Sequence, residues 1–466
     1  MGKIVSTYIF PHPPIIVPEV GKGEENDAIN TINAAIKASK EIKSQKPTTI
    51  IVTTPHAPVF EDYVFVSDDK VLKGNFGKFG RKDVGLSFEN NLSLVKQIIS
   101  YAGNEGLSAG GIDRATAARY GLENELDHGA LVPLYFITKE YSNFKLVHIS
   151  ISYLSMEELY RFGMCIKKAV EDSDEDVVFV ASGDLSHKLT HEGPYGYSEH
   201  GSKFDEMVVD SIRESNVQKL LGIDEEFCES AAQCGLRSFV IMYGALDGYE
   251  IKPEVYSYEG PFGVGYCIAK IGVGREDNNR KVMDKRIEEI RKNEDEYVAL
   301  ARSSLESFVR EGKMIEIPDG LPKEMKTDRA GVFVSIKKDG QLRGCIGTIV
   351  PTRENIAGEI IYNAISSGTE DPRFFPVESS ELESLVYSVD VLMKPEPINS
   401  MHELDVIKYG VIVRSGYRSG LLLPNLEGVN TPEEQVDIAL QKAGIRKNEE
   451  YSMQRFEVIR HSAYNV

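Results

Sequence analysis

The amino-acid sequence predicts an α/β protein built from two domains. The chain has 466 residues, more than one ordinary domain holds. Short apolar runs rich in β-branched residues alternate with helical patterns through the first 270 residues, and the composition then turns abruptly polar in REDNNRKVMDKR. We therefore predict a first domain at residues 1–272, a linker at 273–284 and a second domain at 285–466.

Five apolar runs of the first domain predict strands of a mixed sheet, because they are short and rich in Val, Ile and Thr. The segments between them carry apolar residues three and four positions apart, the spacing of an amphipathic helix that packs on a sheet. The predicted strands are GKIVSTYIF, TTIIVTTP, FKLVHISIS, DVVFVASGD and GVGYCIAKI. The predicted helices are ENDAINTINAAIKASKEIKSQ, SMEELYRFGMCIKKAVEDS and SKFDEMVVDSIRES.

The second domain is predicted to begin with one long helix, RIEEIRKNEDEYVALARSSLESFVREG, followed by a β-hairpin. Residues 339–340, Asp-Gly, are the two-residue turn signal of that hairpin. Near the end of the chain, Thr431 is the expected N-cap of a helix and Pro432 its first residue. Glu434 completes a capping box, and Gly444 is expected to end the helix.

Composition and charge restrict the class of partner. A formal charge of −19 repels phosphate backbones, which argues against nucleic acid and favours a small molecule or a protein. No apolar run is long enough to span a bilayer and no secretory signal is recognisable, so we expect a cytoplasmic protein without membrane association. The cysteines argue against a disulfide framework and a zinc ribbon, because they are odd in number and irregularly spaced: Cys165, Cys228, Cys234, Cys267 and Cys345.

The histidines are concentrated in the first domain. Seven of the nine lie in the first 200 residues, and the first of them stands between two prolines in YIFPHPPIIV, which restrict the backbone around it. A single histidine is usually an ordinary core or surface residue. The carboxyl ends of strands in an α/β sheet meet at one edge, however, so histidines placed there predict a metal-binding cleft. The histidines that follow apolar strands are His12, His56, His128 and His187.

The motifs FPHPP, TTPHAP, LDHGALVPL, ASGDLSH and HGSKFD, in this order, resemble the class III, LigB-type extradiol dioxygenases and their Memo-like relatives across residues 1–271. The resemblance implies a mixed α/β fold and non-haem Fe(II), with another divalent metal as the alternative. It implies that His12 and His56 ligate the metal. It also implies that His128 and His187 are catalytic and act on substrate protons and on oxygen.

The third ligand departs from the dioxygenase pattern. Those enzymes place a glutamate before an apolar segment that ends in Gly-Ala, whereas the nearest position here carries Cys234, in QCGLRSF. Memo-like proteins have a cysteine in this Cys-Gly context, so we predict Cys234 as a metal ligand and keep Glu229 as the carboxylate alternative. A thiolate favours a softer ion and argues against catechol cleavage.

Further residues of the first domain allow two interpretations each. His148 lies within a predicted strand and is expected to pack in the core. His191 and His200 border a loop rich in Gly and Tyr, which either covers the cleft or is simply solvated. Asp184 either orients His187 or caps the turn in SGDLSH.

In the second domain, GQLRGCIGTIVP places Cys345 between two glycines, with Arg343 two residues earlier. Glycine permits close approach and a guanidinium can lower a thiol pKa, so Cys345 is either a catalytic thiolate or an inert buried cysteine. This segment and TEDPRFFP are similar to the AMMECR-type domain across residues 285–466. The resemblance places Asp371 and Arg373 beside Cys345 and implies a radical SAM protein as partner, as in the AmmeMemoRadiSam system.

Two functions follow from the sequence. The first is a non-haem iron enzyme that resembles extradiol ring-cleavage dioxygenases and acts on a catechol-like or related aromatic substrate. The second is a Memo-like metal-binding scaffold that works with a radical SAM partner and cleaves no ring. Cys234 favours the second function, whereas the acid–base histidines favour the first.

Overall fold

The computed structural model describes residues 2–463 except 113, 123–124, 194, 339–340 and 427–428. The chain forms two compact units, Met1–Val282 and Met283–Val466, which we call the N-terminal and C-terminal units. The predicted linker, 273–284, holds the end of one strand and the start of a helix. Within the described ranges, no helix is long and apolar enough to cross a membrane.

The N-terminal unit alternates strands and helices. Its strands are β1 (Lys3–Phe10), β2 (Thr49–Thr54), β3 (Val64–Phe65), β4 (Val71–Phe76), β5 (Arg81–Glu89), β6 (Ala109–Gly110), β7 (Lys145–Ser150), β8 (Asp176–Ser182), β9 (Tyr249–Glu259) and β10 (Tyr266–Glu276). Its helices are α1 (Pro18–Gly21), α2 (Ile29–Gln45), α3 (Leu92–Asn104), α4 (Arg114–Tyr120), α5 (His128–Glu140), α6 (Met156–Glu171), α7 (Glu199–Glu214), α8 (Val217–Leu221), α9 (Glu225–Ala231) and α10 (Leu236–Gly244).

A mixed six-stranded sheet, in the order β7-β2-β8-β1-β10-β9, is the centre of this unit. The first four strands are parallel to one another. Strand β10 runs antiparallel to β1, and β9 runs antiparallel to β10. All five predicted strands lie in this sheet, which confirms the mixed α/β fold. The edge strand β9 was not predicted, because YEIKPEVYSYE mixes charged residues with a proline. Helices α2 and α5 cover one face, and α6 and α10 cover the other.

The order of the strands positions the candidate site. Strands β2, β8 and β1 are neighbours and parallel, so their carboxyl ends lie side by side at one edge of the sheet. Each of them continues into a segment that carries a polar residue two positions beyond the strand. These residues are His12 after β1, His56 after β2 and Asp184 after β8.

The C-terminal unit contains two four-stranded sheets, in the orders β12-β11-β13-β18 and β14-β17-β15-β16. Its strands are β11 (Val332–Lys338), β12 (Gln341–Gly347), β13 (Leu385–Leu392), β14 (Glu396–Ile398), β15 (Gly410–Ser415), β16 (Arg418–Leu422), β17 (Ser452–Phe456) and β18 (Val458–Ser462). Its helices are α11 (Val282–Lys292), α12 (Glu296–Glu311), α13 (Lys323–Thr327), α14 (Ile356–Thr369) and α15 (Pro432–Ala443). Helix α11 begins at Val282, the last residue of the N-terminal unit.

Two predictions for the C-terminal unit have different outcomes. The prediction of a single long helix is wrong, since the chain forms two helices, α11 and α12. The Asp295 side chain accepts hydrogen bonds from the backbone N–H groups of Tyr297 and Val298, and so caps the start of the second helix. The predicted caps of α15 are confirmed, with a reciprocal capping box at its start and a left-handed Gly444 at its end. Strands β11 and β12 pair antiparallel, and the predicted turn at 339–340 lies outside the described residues.

Candidate metal centre

The imidazole of His12 is buried and has a fixed tautomer. Its backbone N–H donates to Asp184 Oδ1 at 2.8 Å, and its Nδ1 lies 2.9 Å from Ser182 Oγ. The Ser182 hydroxyl donates its own proton to the carbonyl of Gly129 at 2.5 Å, so Ser182 Oγ accepts from His12 Nδ1–H. The lone pair of His12 Nε2 therefore remains available for a metal ion.

His56 and His128 face this nitrogen. The Nε2 atoms of His12 and His56 are 3.0 Å apart, and the ring of His128 stacks on that of His56 with centroids 4.1 Å apart. Ligand atoms of all three lie within 4.8 Å of one another. Burial and the neighbouring rings hold the pKa of His12 well below its ordinary value and lower that of His56 to about 4, and burial also lowers that of His128. All three imidazoles are therefore neutral at pH 7, the form that binds metals.

A second group shares His12. Cys234 Sγ lies 3.6 Å from His12 Nε2, and Asp184 Oδ2 lies 3.7 Å from the same nitrogen. The backbone N–H of Asp184 donates to Cys234 Sγ at 3.3 Å. Burial raises the pKa of the Asp184 carboxyl to about 7, and burial with this carboxylate nearby raises that of the thiol well above its ordinary value. A bound cation would lower the pKa of the thiol instead, because it stabilises the thiolate directly.

The donors present fit a transition metal. The His12 and His56 Nε2 atoms are closer than twice a metal–imidazole bond of about 2.1 Å, so both can contact one ion. Imidazole with thiolate suits iron, zinc or copper, whereas calcium and magnesium prefer oxygen ligands. The predicted set of His12, His56 and Cys234 is divided between the two groups, which have His12 in common.

His187 lies at the rim of the centre. Its Nδ1 donates to the carbonyl of Ala232 at 2.5 Å, so Nε2 carries a lone pair and can accept a proton. This Nε2 is 3.9 Å from Asp184 Oδ2, and burial lowers the pKa of the imidazole. Aromatic rings flank the rim, with Tyr195 edge-on to His187 at 5.2 Å and Phe79 edge-on to His128 at 5.4 Å.

Other predicted residues lie outside both groups of ligands. Glu229, the alternative third ligand, is an exposed residue of α9. His191 packs beside Tyr197, and His200 packs beside Phe227. The loop between these two histidines includes residue 194, which lies outside the described residues.

Sequence reasoning missed two features of the centre. Asp184 contacts His12 and Cys234 as well as His187, whereas the sequence linked it to His187 alone. His148 is buried as expected, but it also bonds to the Asp127 carboxylate, with Nε2 at 3.1 Å from Oδ2. The Asp-His pair in LDHG was the available signal, since an acidic residue beside a catalytic-type histidine often orients its neighbours.

The surroundings of Cys345 differ from the prediction. Arg343 does not face the thiol: its guanidinium pairs with Glu381, with contacts of 3.0 and 2.9 Å. Burial raises the pKa of the Cys345 thiol, which is expected for the buried cysteine and not for the thiolate alternative. Asp371 and Arg373 do lie beside it, because Asp371 Oδ2 accepts from the Cys345 N–H at 2.8 Å and Arg373 donates to the Cys345 carbonyl at 3.3 Å.

The glycines around Cys345 have a packing role. A Cβ at Gly344 would lie 2.1 Å from the Ser367 carbonyl oxygen of α14, and one at Gly347 would lie 2.3 Å from the Phe333 ring. The same helix is bonded to the strand, since the Ile346 N–H donates to Ser367 Oγ at 2.8 Å. The segment LRGCIG therefore lets a helix and an aromatic ring approach a strand closely.

Comparisons with known proteins agree with this architecture. The family model described as catalytic LigB subunit of aromatic ring-opening dioxygenase matches residues 6–269, and the AMMECR1 model matches residues 298–463. A protein of Clostridium acetobutylicum is 46% identical over 463 residues, which cover 97% of this chain and 98% of that protein. A Thermotoga maritima protein is 51% identical over 167 residues, 35% of this chain and 96% of its own length.

Two crystal structures are also similar to parts of the chain. One, of a Pyrococcus horikoshii protein, covers 35% of this chain and 88% of its own, with 34% identity and a TM-score of 0.34. The other, of an Escherichia coli K12 protein, covers 57% of this chain and 100% of its own, with 13% identity and a TM-score of 0.40. From the family models and the full-length relative, we conclude that the chain belongs to the LigB family and carries an AMMECR1 domain after its LigB domain.

Proposed function

We propose that the N-terminal unit is a metal-dependent enzyme that binds Fe(II) and acts on a catechol-like or related aromatic substrate. Its ligands are His12, His56 and Cys234. The observation that carries the proposal is the pair of Nε2 atoms 3.0 Å apart on two neutral imidazoles, one of which has its tautomer set by Ser182. When bound, Fe(II) supplies the coordination and redox chemistry through which aromatic diols react with dioxygen.

The protein residues supply proton transfer and orientation. His187 Nε2 has a lone pair and can take a proton from a substrate hydroxyl, while its Nδ1–H remains on the Ala232 carbonyl. His128 is the first residue of α5, and burial lowers the pKa of its imidazole. It too is therefore neutral and can accept a proton. The Phe79 and Tyr195 rings provide apolar surface for an aromatic ring at the rim.

A first experiment measures Fe(II) stoichiometry after anaerobic reconstitution of the full chain. We expect one iron per chain in the native protein, and loss of iron in His12→Ala and His56→Ala. Glu229→Ala is the matched control and should retain iron, since this carboxylate is exposed and outside both ligand groups. Iron retained in both histidine variants would contradict the proposed ligands.

A second experiment measures oxygen uptake with a panel of catechols. We expect uptake by the iron-loaded native protein, and loss of about 10²–10⁴-fold in rate for His187→Gln with iron content unchanged. An iron-loaded native protein that consumes no oxygen with any catechol would contradict the enzyme proposal.

The second candidate function is a metal-binding scaffold without ring cleavage, working with a radical SAM protein. It is favoured by Cys234 and Asp184, which lie beside His12, whereas the alternative ligand Glu229 belongs to neither ligand group. Absence of oxygen uptake together with stable iron binding is the outcome expected for this function.

A further inference from the structure

We propose that Asp127 and His148 form a buried positioning pair that holds the imidazoles of the metal centre in place. This inference rests on the proposed function, because it concerns the same centre. Neither residue belongs to the two groups of candidate ligands. Their hydrogen bonds nevertheless connect the separate chain segments that carry the candidate ligands.

Asp127 joins two of these segments directly. Its Oδ1 accepts a hydrogen bond from Thr54 Oγ1 at 2.6 Å, and Thr54 Oγ1 in turn accepts from the backbone N–H of His56 at 3.3 Å. The same oxygen accepts from the Ala130 N–H at 3.3 Å and caps α5, whose first residue is His128. One carboxylate therefore fixes both the loop of His56 and the helix end that presents His128.

His148 forms a hydrogen bond with the other oxygen of this carboxylate. It lies on β7 with 2% of its surface exposed, and its Nε2 is 3.1 Å from Asp127 Oδ2. A carboxylate only accepts, so Nε2 carries the proton and Nδ1 accepts from Ser67 Oγ at 2.8 Å. Both ring nitrogens are thus engaged, and the ring has no lone pair left for a metal ion.

The network also reaches His12. A Cβ at Gly129 would lie 2.3 Å from Thr54 Oγ1 and 2.8 Å from Asp127 Oδ1, so only a glycine lets these groups approach so closely. The carbonyl of Gly129 is the acceptor that orients the Ser182 hydroxyl, which sets the tautomer of His12. The position of the Asp127 carboxylate is therefore linked to the orientation of the rings in all three segments.

The test uses Co(II) as the probe ion in the full chain, because its visible absorption reports ligand geometry. In Asp127→Asn we expect the Kd for Co(II) to rise about 10–100-fold, with a changed absorption spectrum, as for other residues that support metal ligands. His148→Phe should have a similar effect. His148→Gln retains an N–H that can donate to Asp127 and should restore part of the affinity and the native spectrum.

Asp247→Asn is the matched control for loss of a buried carboxylate. Asp247 is 6% exposed and accepts hydrogen bonds from Tyr160 Oη at 2.7 Å and from the Val282 N–H at 2.8 Å, outside the network of Asp127. Thermal denaturation of the metal-free variants measures the structural cost of each substitution. We expect comparable loss of stability for Asp127→Asn and Asp247→Asn, but weakened Co(II) binding for Asp127→Asn alone.

The outcomes separate this inference from the proposed function. If Asp127→Asn binds Co(II) with native affinity and spectrum, the positioning role is overturned while the metal centre stands. If the native protein binds no Co(II), the proposed function fails, and ¹⁵N-histidine NMR of the metal-free chain decides the inference. Ring signals of His56 and His128 that shift in Asp127→Asn but not in Asp247→Asn support it, and unchanged signals overturn it.

Discussion

Cys234 in the N-terminal unit and Cys345 in the C-terminal unit each adjoin a glycine and bond to a buried aspartate, but the partners of the two aspartates differ. Asp184 beside Cys234 has neutral imidazoles as its neighbours, and burial raises its pKa to about 7. Asp371 beside Cys345 is held by the Arg373 guanidinium at 3.0 and 2.7 Å, which lowers its pKa far below the ordinary value.

These different partners indicate where a ligand can bind. In the C-terminal unit, the Asp371 carboxylate accepts hydrogen bonds from the Arg373 guanidinium and from the Cys345 N–H. The Cys345 carbonyl accepts from Arg373, so these polar groups satisfy one another. Around Cys234, the Nε2 atoms of two neutral imidazoles approach each other to 3.0 Å, and a metal ion can replace a proton that they share. Convergent metal-binding donors indicate a ligand site, whereas polar groups paired with a guanidinium and backbone groups indicate packing.

The largest expected effect tests whether LRGCIG is a packing motif. Gly344→Val should destabilise the C-terminal unit by about 3 kcal/mol, because the added side chain meets the Ser367 carbonyl of α14. Urea denaturation of the full chain, followed by a probe in this unit, measures the change. Gly320→Ala is the control, because a Cβ there meets nothing within 4 Å, and it should change stability by less than about 0.5 kcal/mol. Native stability of Gly344→Val would show that the strand can move.

The second effect tests the two cysteines against each other. Cys234→Ser should weaken Fe(II) or Co(II) binding about 100-fold, because a hydroxyl is a poor substitute for a thiolate ligand. Cys345→Ser should leave the affinity unchanged, since its thiol accepts from Ser335 Oγ at 3.3 Å and is not a member of either ligand group. Metal titration by calorimetry measures both. Equal affinity in the two variants would remove Cys234 from the ligand set.

The third effect concerns the paired aspartate of the C-terminal unit. Asp371→Asn should destabilise this unit by about 2 kcal/mol at pH 7, because it weakens the contacts to Arg373 and the Cys345 N–H. The pKa of Asp371 is lowered in the folded state, so its contribution is complete above the unfolded value near 4 and declines as the pH falls below it. Denaturation at pH 7 and pH 3 should give a smaller difference at pH 3, and a constant difference would contradict this account.

The smallest expected effect is a gain in stability, and it concerns Asp205 in the N-terminal unit. Asp205 on α7 is buried and accepts hydrogen bonds from the Ser186 N–H and Tyr258 Oη at 2.7 and 2.8 Å. Burial raises its pKa to about 7, above the unfolded value, so the native state loses stability as the pH rises from 4 to 7.

Asp205→Asn should therefore gain about 1 kcal/mol relative to the native protein between pH 5 and pH 8. Urea denaturation at the two pH values measures this gain. Glu206→Gln, on the exposed side of the same helix, is the control for loss of one negative charge. A gain of equal size in Glu206→Gln would assign the effect to net charge rather than to burial.

The five strands of the mixed sheet, the caps of α15 and the place of His12, His56 and His187 beyond strand ends could all be predicted from the sequence. These features depend on local patterns, and parallel strands necessarily share the edge at which their carboxyl ends lie. His128 was also predicted to follow a strand, and this was wrong, because it is the first residue of helix α5. A local pattern also gave a wrong prediction for the start of the C-terminal unit. One long helix was predicted there, but Asp295 caps a second helix and the chain forms α11 and α12.

Which donors share His12, and which partner each charged group takes, depends on how distant segments pack together. Asp184 meets His12 across 172 positions of sequence, and Arg343 meets Glu381 rather than Cys345 across 38. The Asp127–His148 pair likewise depends on β7 lying beside β2. Contacts of this kind result from the order of strands and the packing of helices. They cannot be predicted from the sequence immediately around each residue.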